Sequence, residues 1–241
     1  EFGWMPGIGD GTFGDFIPVS GEDSNTNANQ SYLTRPYQAV DLDGDGDLDF
    51  VIGKRTGSLI ELWTNDGNQN FDMAGTLVGL RRASTQLQGV TDLRVADFTG
   101  DGHLDIFYSG TDRNGYSLYV GSETPLAFTY QDASDRVANY AGEANPVGND
   151  APLDIDGDGD LDLVMGNGHA GEKYAARVLI NDGAGFFTST DYASVDFIGQ
   201  DTEIGQTNDS TVAGVLVGDY NRDGVVDLAY YTRGGIDFNG V

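Results

Sequence analysis

One ten-residue pattern recurs four times and limits what the chain can become. It reads DLDGDGDLDF from Asp41, DFTGDGHLDI from Asp97, DIDGDGDLDL from Asp154 and DYNRDGVVDL from Asp219. Successive copies begin 56, 57 and 65 residues apart. Every copy has an acid at positions 1, 5 and 9, glycine at position 6 (Gly46, Gly102, Gly159, Gly224) and an aliphatic residue at position 8. Position 3 is Asp43, Thr99, Asp156 or Asn221, an oxygen donor each time. No apolar core accepts such a run of carboxylates, and on a bare surface their mutual repulsion opposes a tight loop. A period of this length marks repeated supersecondary units.

Oxygen donors at alternate positions around a turning glycine describe a loop for a hard cation. Calcium fits best, because it takes six to eight oxygens at about 2.3–2.6 Å. The side-chain donors are then Asp41, Asp43, Asp45 and Asp49 in loop 1, and Asp97, Thr99, Asp101 and Asp105 in loop 2. Loop 3 supplies Asp154, Asp156, Asp158 and Asp162, and loop 4 supplies Asp219, Asn221, Asp223 and Asp227. Position 7 varies between Asp47, His103, Asp160 and Val225. A valine there has only its carbonyl to offer, so position 7 is read as a backbone donor. The competing reading is a set of acidic surface turns, where Asp and Gly recur for local reasons. Four copies in one register weigh against it. The loops are not EF-hands: position 12 is Ile52, Tyr108, Met165 or Tyr230, where an EF-hand needs a bidentate Glu.

The flanks predict strands. YQAV and LRVA lead into loops, while DFVIG, DIFYSG, DLVMG and DLAYY lead out. Further strand signals follow, SLIELW, YSLYVG and AARVLI, each with a turn such as NDGNQNF or NDGAGFF behind it. The aromatic closing each turn, Phe71, Phe128 or Phe187, lies 22, 23 or 25 residues past position 9. A repeat is therefore a four-stranded antiparallel meander of about 55–65 residues, the size of a propeller blade. The fold class expected is all-β, a β-propeller forming one domain over residues 1–241. Its blades span 33–80, 88–135 and 145–197. A fourth combines 212–241 with 1–20, since the C-terminal end has a loop without a turn and the N-terminal end has the turn GIGDGTF without a loop. Joined end to end, Phe13 falls 27 residues past Asp227. A fragment of a longer array, or pairing with a second chain, would leave the same ends. Trp63 and the aromatics of DIFYSG and DLAYY are expected to pack between blades.

These loops, strand flanks and turns resemble FG-GAP/VCBS repeats, the calcium-binding propeller blades of integrin α-subunit heads, fungal lectins and many secreted bacterial proteins. The resemblance covers nearly the whole chain. It implies one calcium in the loop between the first two strands of each blade, about four per chain. The implied ligands are the side chains named above with the carbonyls of Asp47, His103, Asp160 and Val225. Thr99 replaces the usual Asp or Asn at position 3, so the second site is expected to be the weakest. Four repeats are fewer than the seven common in the family.

Charge narrows the partners. The formal charge is −27, from 39 acids and 12 bases, which disfavours nucleic acid and anionic membranes. No apolar run is long enough for a membrane-spanning helix. With no cysteine there is no disulfide framework or thiolate metal site. The start EFGWMPG does not begin with Met and shows no signal peptide, and the chain is read as a piece of a larger secreted protein. Sites that fill only at millimolar calcium point outside the cell.

The function expected is a binding or adhesion module for a glycan or protein ligand. The segments GKRTGS, SGTDRNGYS, GNGHAGEKYAA and YTRGG gather Lys54, Arg55, Arg113, His169, Lys173, Tyr174 and Arg233 as candidate contacts. Solvated turns are the plainer account of them. The alternatives are the propeller of a secreted polysaccharide-active enzyme and a structural spacer in a surface protein. No catalytic residue is assigned, because the only histidines are His103, inside loop 2, and His169, in a Gly-rich turn. NQS (29–31) and NDS (208–210) fit a glycosylation sequon, and 20–31 and 198–210 are polar insertions between blades. Oligomeric state is left open.

Overall fold

Short β-branched and aromatic runs cut off by Asp-Gly turns fold as strands. The structure, a computed structural model, describes residues 2–20, 36–54, 59–78, 90–110, 116–132, 136–138, 151–166, 174–193 and 211–233. In these residues the strands are β1 (Phe2–Trp4), β2 (Ile17–Ser20), β3 (Tyr37–Val40), β4 (Asp49–Gly53), β5 (Leu59–Asn65), β6 (Phe71–Val78), β7 (Val90–Ala96) and β8 (Asp105–Gly110). They continue as β9 (Tyr116–Val120), β10 (Thr129–Asp132), β11 (Val137–Ala138), β12 (Ala151–Leu153), β13 (Asp162–Gly166), β14 (Tyr174–Asn181), β15 (Phe187–Ala193), β16 (Thr211–Gly218) and β17 (Asp227–Arg233).

Three sheets are sequential antiparallel meanders: β3-β4-β5-β6, β7-β8-β9-β10 and β12-β13-β14-β15. β1-β2 and β16-β17 form two-stranded sheets, with no ladder joining one to the other among the described residues. Each acidic loop is a hairpin connection whose position-9 aspartate opens the second strand. The closing pairs are Val40–Asp49, Ala96–Asp105, Leu153–Asp162 and Gly218–Asp227. The sequence reading had no place for β11. It lies parallel to β15, with Val137 opposite Phe187, so the connection from the second meander to the third covers an otherwise bare sheet edge.

The cores lie between the sheets, face to face. The first joins Leu42, Val51, Ile60 and Leu62 to Val90, Leu93, Val95, Ile106, Tyr108 and Tyr119. The second joins Phe98, Phe107, Tyr116 and Leu118 to Leu163, Leu179 and Phe187, with Val137 from the connection. A smaller third cluster, around Val164 and Val178, takes in Ile155 and Val217. Consecutive residues of β8 feed opposite cores, Phe107 toward the third meander and Tyr108 toward the first, because strand side chains alternate between faces. A central strand buried on both faces is what stacking of blades around an axis demands. The aromatics of DIFYSG thus pack between blades as expected, whereas the side chains of Tyr230 and Tyr231 lie outside the described residues. Trp63 is half-buried, its indole N–H donating to Glu61 Oε2 at 3.1 Å.

Adjacent inner strands are stitched by Gln38 of β3. Its Nε2 donates to Val95 O at 2.9 Å, and its Oε1 accepts from Val95 N at 2.8 Å, imitating a ladder partner for β7. Near the ends, Trp4 of β1 meets Phe71 edge-on at 6.3 Å, and Val217 of β16 packs on the third cluster.

Phe187 is 1% exposed and meets Phe98 and Phe107 edge-on at 6.0 and 5.4 Å. Phe187→Ala is expected to cost about 3–5 kcal/mol in urea unfolding. Leu48→Ala, at a loop position 60% exposed, is expected to change it by less than about 0.5 kcal/mol.

Candidate metal centres

Each loop is wound by its own carboxylates. The position-1 aspartates accept two backbone N–H groups apiece: Asp41 from Gly44 and Gly46 at 2.8 and 3.0 Å, and Asp154 from Gly157 and Gly159 at 2.7 and 3.0 Å. Asp97 accepts from Asp101 and Gly102, and Asp219 from Asp223 and Gly224. The position-5 aspartates each cap the N–H of position 7: Asp45 to Asp47, Asp101 to His103, Asp158 to Asp160, and Asp223 to Val225. Such Asx turns curl the chain so that side-chain and carbonyl oxygens face one centre.

Two positions need a left-handed backbone. Position 6 has φ of 96°, 86°, 100° and 85° in Gly46, Gly102, Gly159 and Gly224. Position 4 is also left-handed, in Gly44, Gly100 and Gly157, and in loop 4 at Arg222, with φ 63°. The sequence reading missed position 4. The signal was visible as glycine in three copies of four.

Position 9 is the buried carboxylate of loops 1, 2 and 3, and in loop 4 Asp227 is half-buried. Asp49, Asp105 and Asp162 are all 0% exposed. One carboxylate oxygen holds the N–H of position 2: Leu42 at 2.8 Å, and Phe98, Ile155 and Tyr220 each at 2.9 Å. The other oxygen in the first three loops holds the first residue of the outer turn, Asn65 at 2.8 Å, Gly121 at 2.9 Å and Asn181 at 2.7 Å. The carboxylate therefore ties the loop to the far end of the third strand. It keeps lone pairs for a cation, since an ionised carboxylate offers about four acceptor sites.

The carboxylate oxygens of Asp41, Asp43 and Asp49 lie within 4.8 Å of one another, as do those of Asp154, Asp156 and Asp162. Two ligands on opposite sides of a calcium ion are separated by about twice 2.3–2.6 Å, so this spacing suits such an ion. Asp45 and Asp158 are not in those groups, and neither are the acids of loops 2 and 4, whose position 3 is Thr99 or Asn221. Thr99 has a further feature: its hydroxyl is sealed from solvent beside the Asp105 carboxylate, whose charged form it favours. A buried hydroxyl oxygen at position 3, next to the position-9 carboxylate, fits the donor set of a cation. In loop 4, Asn221 Nδ2 donates to Asp223 Oδ2 at 3.0 Å, while its amide oxygen accepts from Asp223 N at 2.9 Å.

Position 7 was expected to act through its carbonyl alone. In loops 1 and 3 the Asp47 and Asp160 carboxylates also press against Gly67 and Gly183 of the outer turns, where a side chain would collide with them. Other polar groups settle differently. Lys54 is paired with Glu61 at 3.0 Å, so this candidate ligand contact is already engaged. Arg55, Arg113, His169, Lys173 and the side chains of Tyr174 and Arg233 lie outside the described residues, as do both sequons and most of the insertions 20–31 and 198–210.

Two comparisons place the molecule. The model of the FG-GAP-like repeat matches residues 41–108 and 154–230, which run from loop 1 into β8 and from loop 3 into β17. The chain belongs to the FG-GAP-like repeat family. Among solved structures, one reported as the structural basis of specific recognition of non-reducing terminal N-acetylglucosamine by an Agrocybe aegerita lectin is similar, with a TM-score of 0.52 and 21% identity. The match covers 93% of this chain and 53% of that one, so this chain spans about half the length of the lectin. It supports the propeller fold. No curated protein matches the chain.

The carboxyl groups record the strain of crowding. Burial and the charge of Asp49 push Asp43 above the ordinary value of 3.8, and burial pushes up Asp105 and Asp162. Asp160 is raised by desolvation and by Asp158, Asp154, Asp182 and Asp156. Asp10 and Asp66 are lowered by hydrogen bonds from Thr12 and Asn70, but their titration window lies below 3.8. A carboxyl raised in the folded state binds protons that the unfolded chain has lost, so stability falls as pH rises through that window. Metal-stripped protein is therefore expected to melt at higher temperature as pH is lowered from 7 toward the carboxylate range. With calcium present, which needs the ionised carboxylates, the same acidification is expected to lower the melting temperature. Parallel scans in the two conditions check the sign.

Proposed function

We propose that the chain is a calcium-stabilised propeller that works outside the cell as a binding module, with a glycan as its ligand class. The observation that carries the calcium reading is the convergence of Asp41, Asp43 and Asp49, and of Asp154, Asp156 and Asp162, on centres of calcium size. On this reading each of the four loops holds one ion through positions 1, 3, 5 and 9 and the carbonyl of position 7. The Thr99 hydroxyl, buried beside the Asp105 carboxylate, supports the extension to loop 2. The role is structural: the ion offsets the repulsion of the loop acids and fixes the register of the two strands the loop joins. Extracellular modules bind calcium at roughly 10⁻⁴–10⁻³ M, far above what a cytosol supplies. The same reading pairs β16-β17 with β1-β2 as a fourth blade, supported by the contact of Trp4 with Phe71 and the packing of Val217 on the Val164 and Val178 cluster across the neighbouring interfaces. The glycan part leans on the fold shared with a lectin described as recognising N-acetylglucosamine.

With calcium at about ten times its dissociation constant, each loop adds about 1.4 kcal/mol to stability. Four filled loops are then expected to raise the melting temperature by about 10–20 °C over the protein in excess EGTA. Metal analysis of the dialysed protein is expected to count close to four calcium ions. A chain that carries no calcium and melts alike in both buffers would end the loop reading. A glycan array probed in millimolar calcium tests the ligand class, N-acetylglucosamine-terminated glycans included. Silence across the array turns the search to protein ligands.

A further inference from the structure

The outer turn of the third meander is bolted to two loops at once. Asn181 is 3% exposed, and its side-chain N–H groups donate to Phe98 O at 2.8 Å and to Leu161 O at 3.1 Å. Phe98 is position 2 of loop 2, between the donors Asp97 and Thr99. Leu161 is position 8 of loop 3, next to Asp162, which accepts the Asn181 backbone N–H at 2.7 Å. The side-chain oxygen of Asn181 accepts from Gly185 N at 3.1 Å, so the carboxamide cannot turn without losing three partners. The backbones behind it are packed to the limit. A Cβ on Gly100 of loop 2 would lie 2.8 Å from Gly183 O, and one on Gly185 would lie 3.0 Å from Thr99 Cγ2. Arg136 closes the same junction, donating to Ala184 O at 2.9 Å with its guanidinium 4.2 Å from the centre of the Phe186 ring.

The other junction is built differently. Where the third meander has Asn181, the second has Gly121, which accepts the same role toward its own Asp105 through the backbone but has no side chain to reach loop 1. In the first meander the equivalent Asn65 donates to Leu48 O, in its own loop, at 3.3 Å.

We propose that Asn181 couples loops 2 and 3, so that an ion in either one strengthens binding in the other, while loop 1 binds independently of loop 2. The proposal rests on the calcium reading of the loops. An ion in loop 3 fixes the Leu161 carbonyl and Asp162, and these fix Asn181. Asn181 then holds the Phe98 peptide in the position that lets Asp97 and Thr99 converge. Binding linkage makes the effect reciprocal.

The test is a calcium titration of the ¹⁵N-labelled full chain, following the position-6 amides of Gly46, Gly102 and Gly159 as separate reporters of loops 1, 2 and 3. Asp156→Ala, on the exposed rim of loop 3, is expected to raise the Gly102 midpoint about three- to tenfold, the range of one hydrogen bond, and to leave Gly46 where it was. Asp97→Ala is expected to raise the Gly159 midpoint by the same factor. In an Asn181→Ala background, Asp156→Ala should no longer move Gly102. If Gly102 responds to calcium with a midpoint indifferent to Asp156→Ala, the coupling is wrong and the calcium reading stands. If it still moves in the Asn181→Ala background, the residue assignment is wrong. Absence of any calcium response at the three glycines removes both. Should Asn181→Ala fail to fold, Asp156→Ala in the native background decides the coupling by itself.

Discussion

Everything in this molecule hangs on a buried carboxylate at the ninth position of the first three loops. Asp49, Asp105 and Asp162 have no exposed surface and no basic partner among their described hydrogen bonds. Their charge is held by backbone N–H groups from the start of their own loop and from the turn beyond the third strand. Burying an ionised carboxylate costs several kcal/mol unless its oxygens are satisfied. Asp105 takes three such N–H bonds, from Phe98, Thr99 and Gly121, and its pKa is still pushed up by desolvation. The blade therefore gains a fixed geometry from a group that would destabilise it electrostatically if left alone. A cation at the loop centre, as proposed above, would offset that cost and add to the geometry in one step.

This constraint explains why the repeats were so legible. Short β-branched and aromatic runs, Asn-Asp-Gly turns in two repeats and an interval of 22 to 25 residues from position 9 to Phe71, Phe128 or Phe187 specify a meander, because the aspartate ties one end of it to the other. The aromatics could be assigned between blades because a strand flanked by two sheets must be apolar on both faces, as Phe107 and Tyr108 are. β11 was not legible. Two residues, Val137 and Ala138, pair in parallel with β15 only because the chain crosses there, and no local pattern encodes a crossing.

Within the loops, the oxygen donors could be read off their spacing, and two of the four loops bring three acids together as the spacing implies. What escaped was the support around them. Position 4 needs a positive φ as much as position 6 does, yet Arg222 hides the rule in the fourth copy. Asn181 looks like an ordinary turn residue beside Asp182 and Gly183. Its contact with Phe98 spans 83 residues of sequence, and only the stacking of blades creates it. Residues that act through a neighbouring blade leave no mark in their own repeat.

The four loops also fall into two electrostatic classes. Loops 1 and 3 carry five aspartates each in positions 1 to 9, and loops 2 and 4 carry three. On the calcium reading a divalent ion would leave loops 1 and 3 with a residual charge of about −3, loop 2 with about −1 and loop 4, which carries Arg222, with about zero by simple count. Acid-rich loops would attract the ion most strongly, and in them neighbouring carboxylates add to burial in raising Asp43 and Asp160. Acid-poor loops attract it less, and loop 2 has instead a neutral donor, Thr99, walled in by Gly185 and anchored through Phe98 to Asn181. Packing from the next blade thus does for loop 2 part of what charge does for loops 1 and 3. If the loops hold calcium as proposed, loop 2, acid-poor and placed between the two acid-rich loops, is the one where borrowed rigidity would change affinity most, because its own charge would leave a larger share of the ordering cost uncompensated.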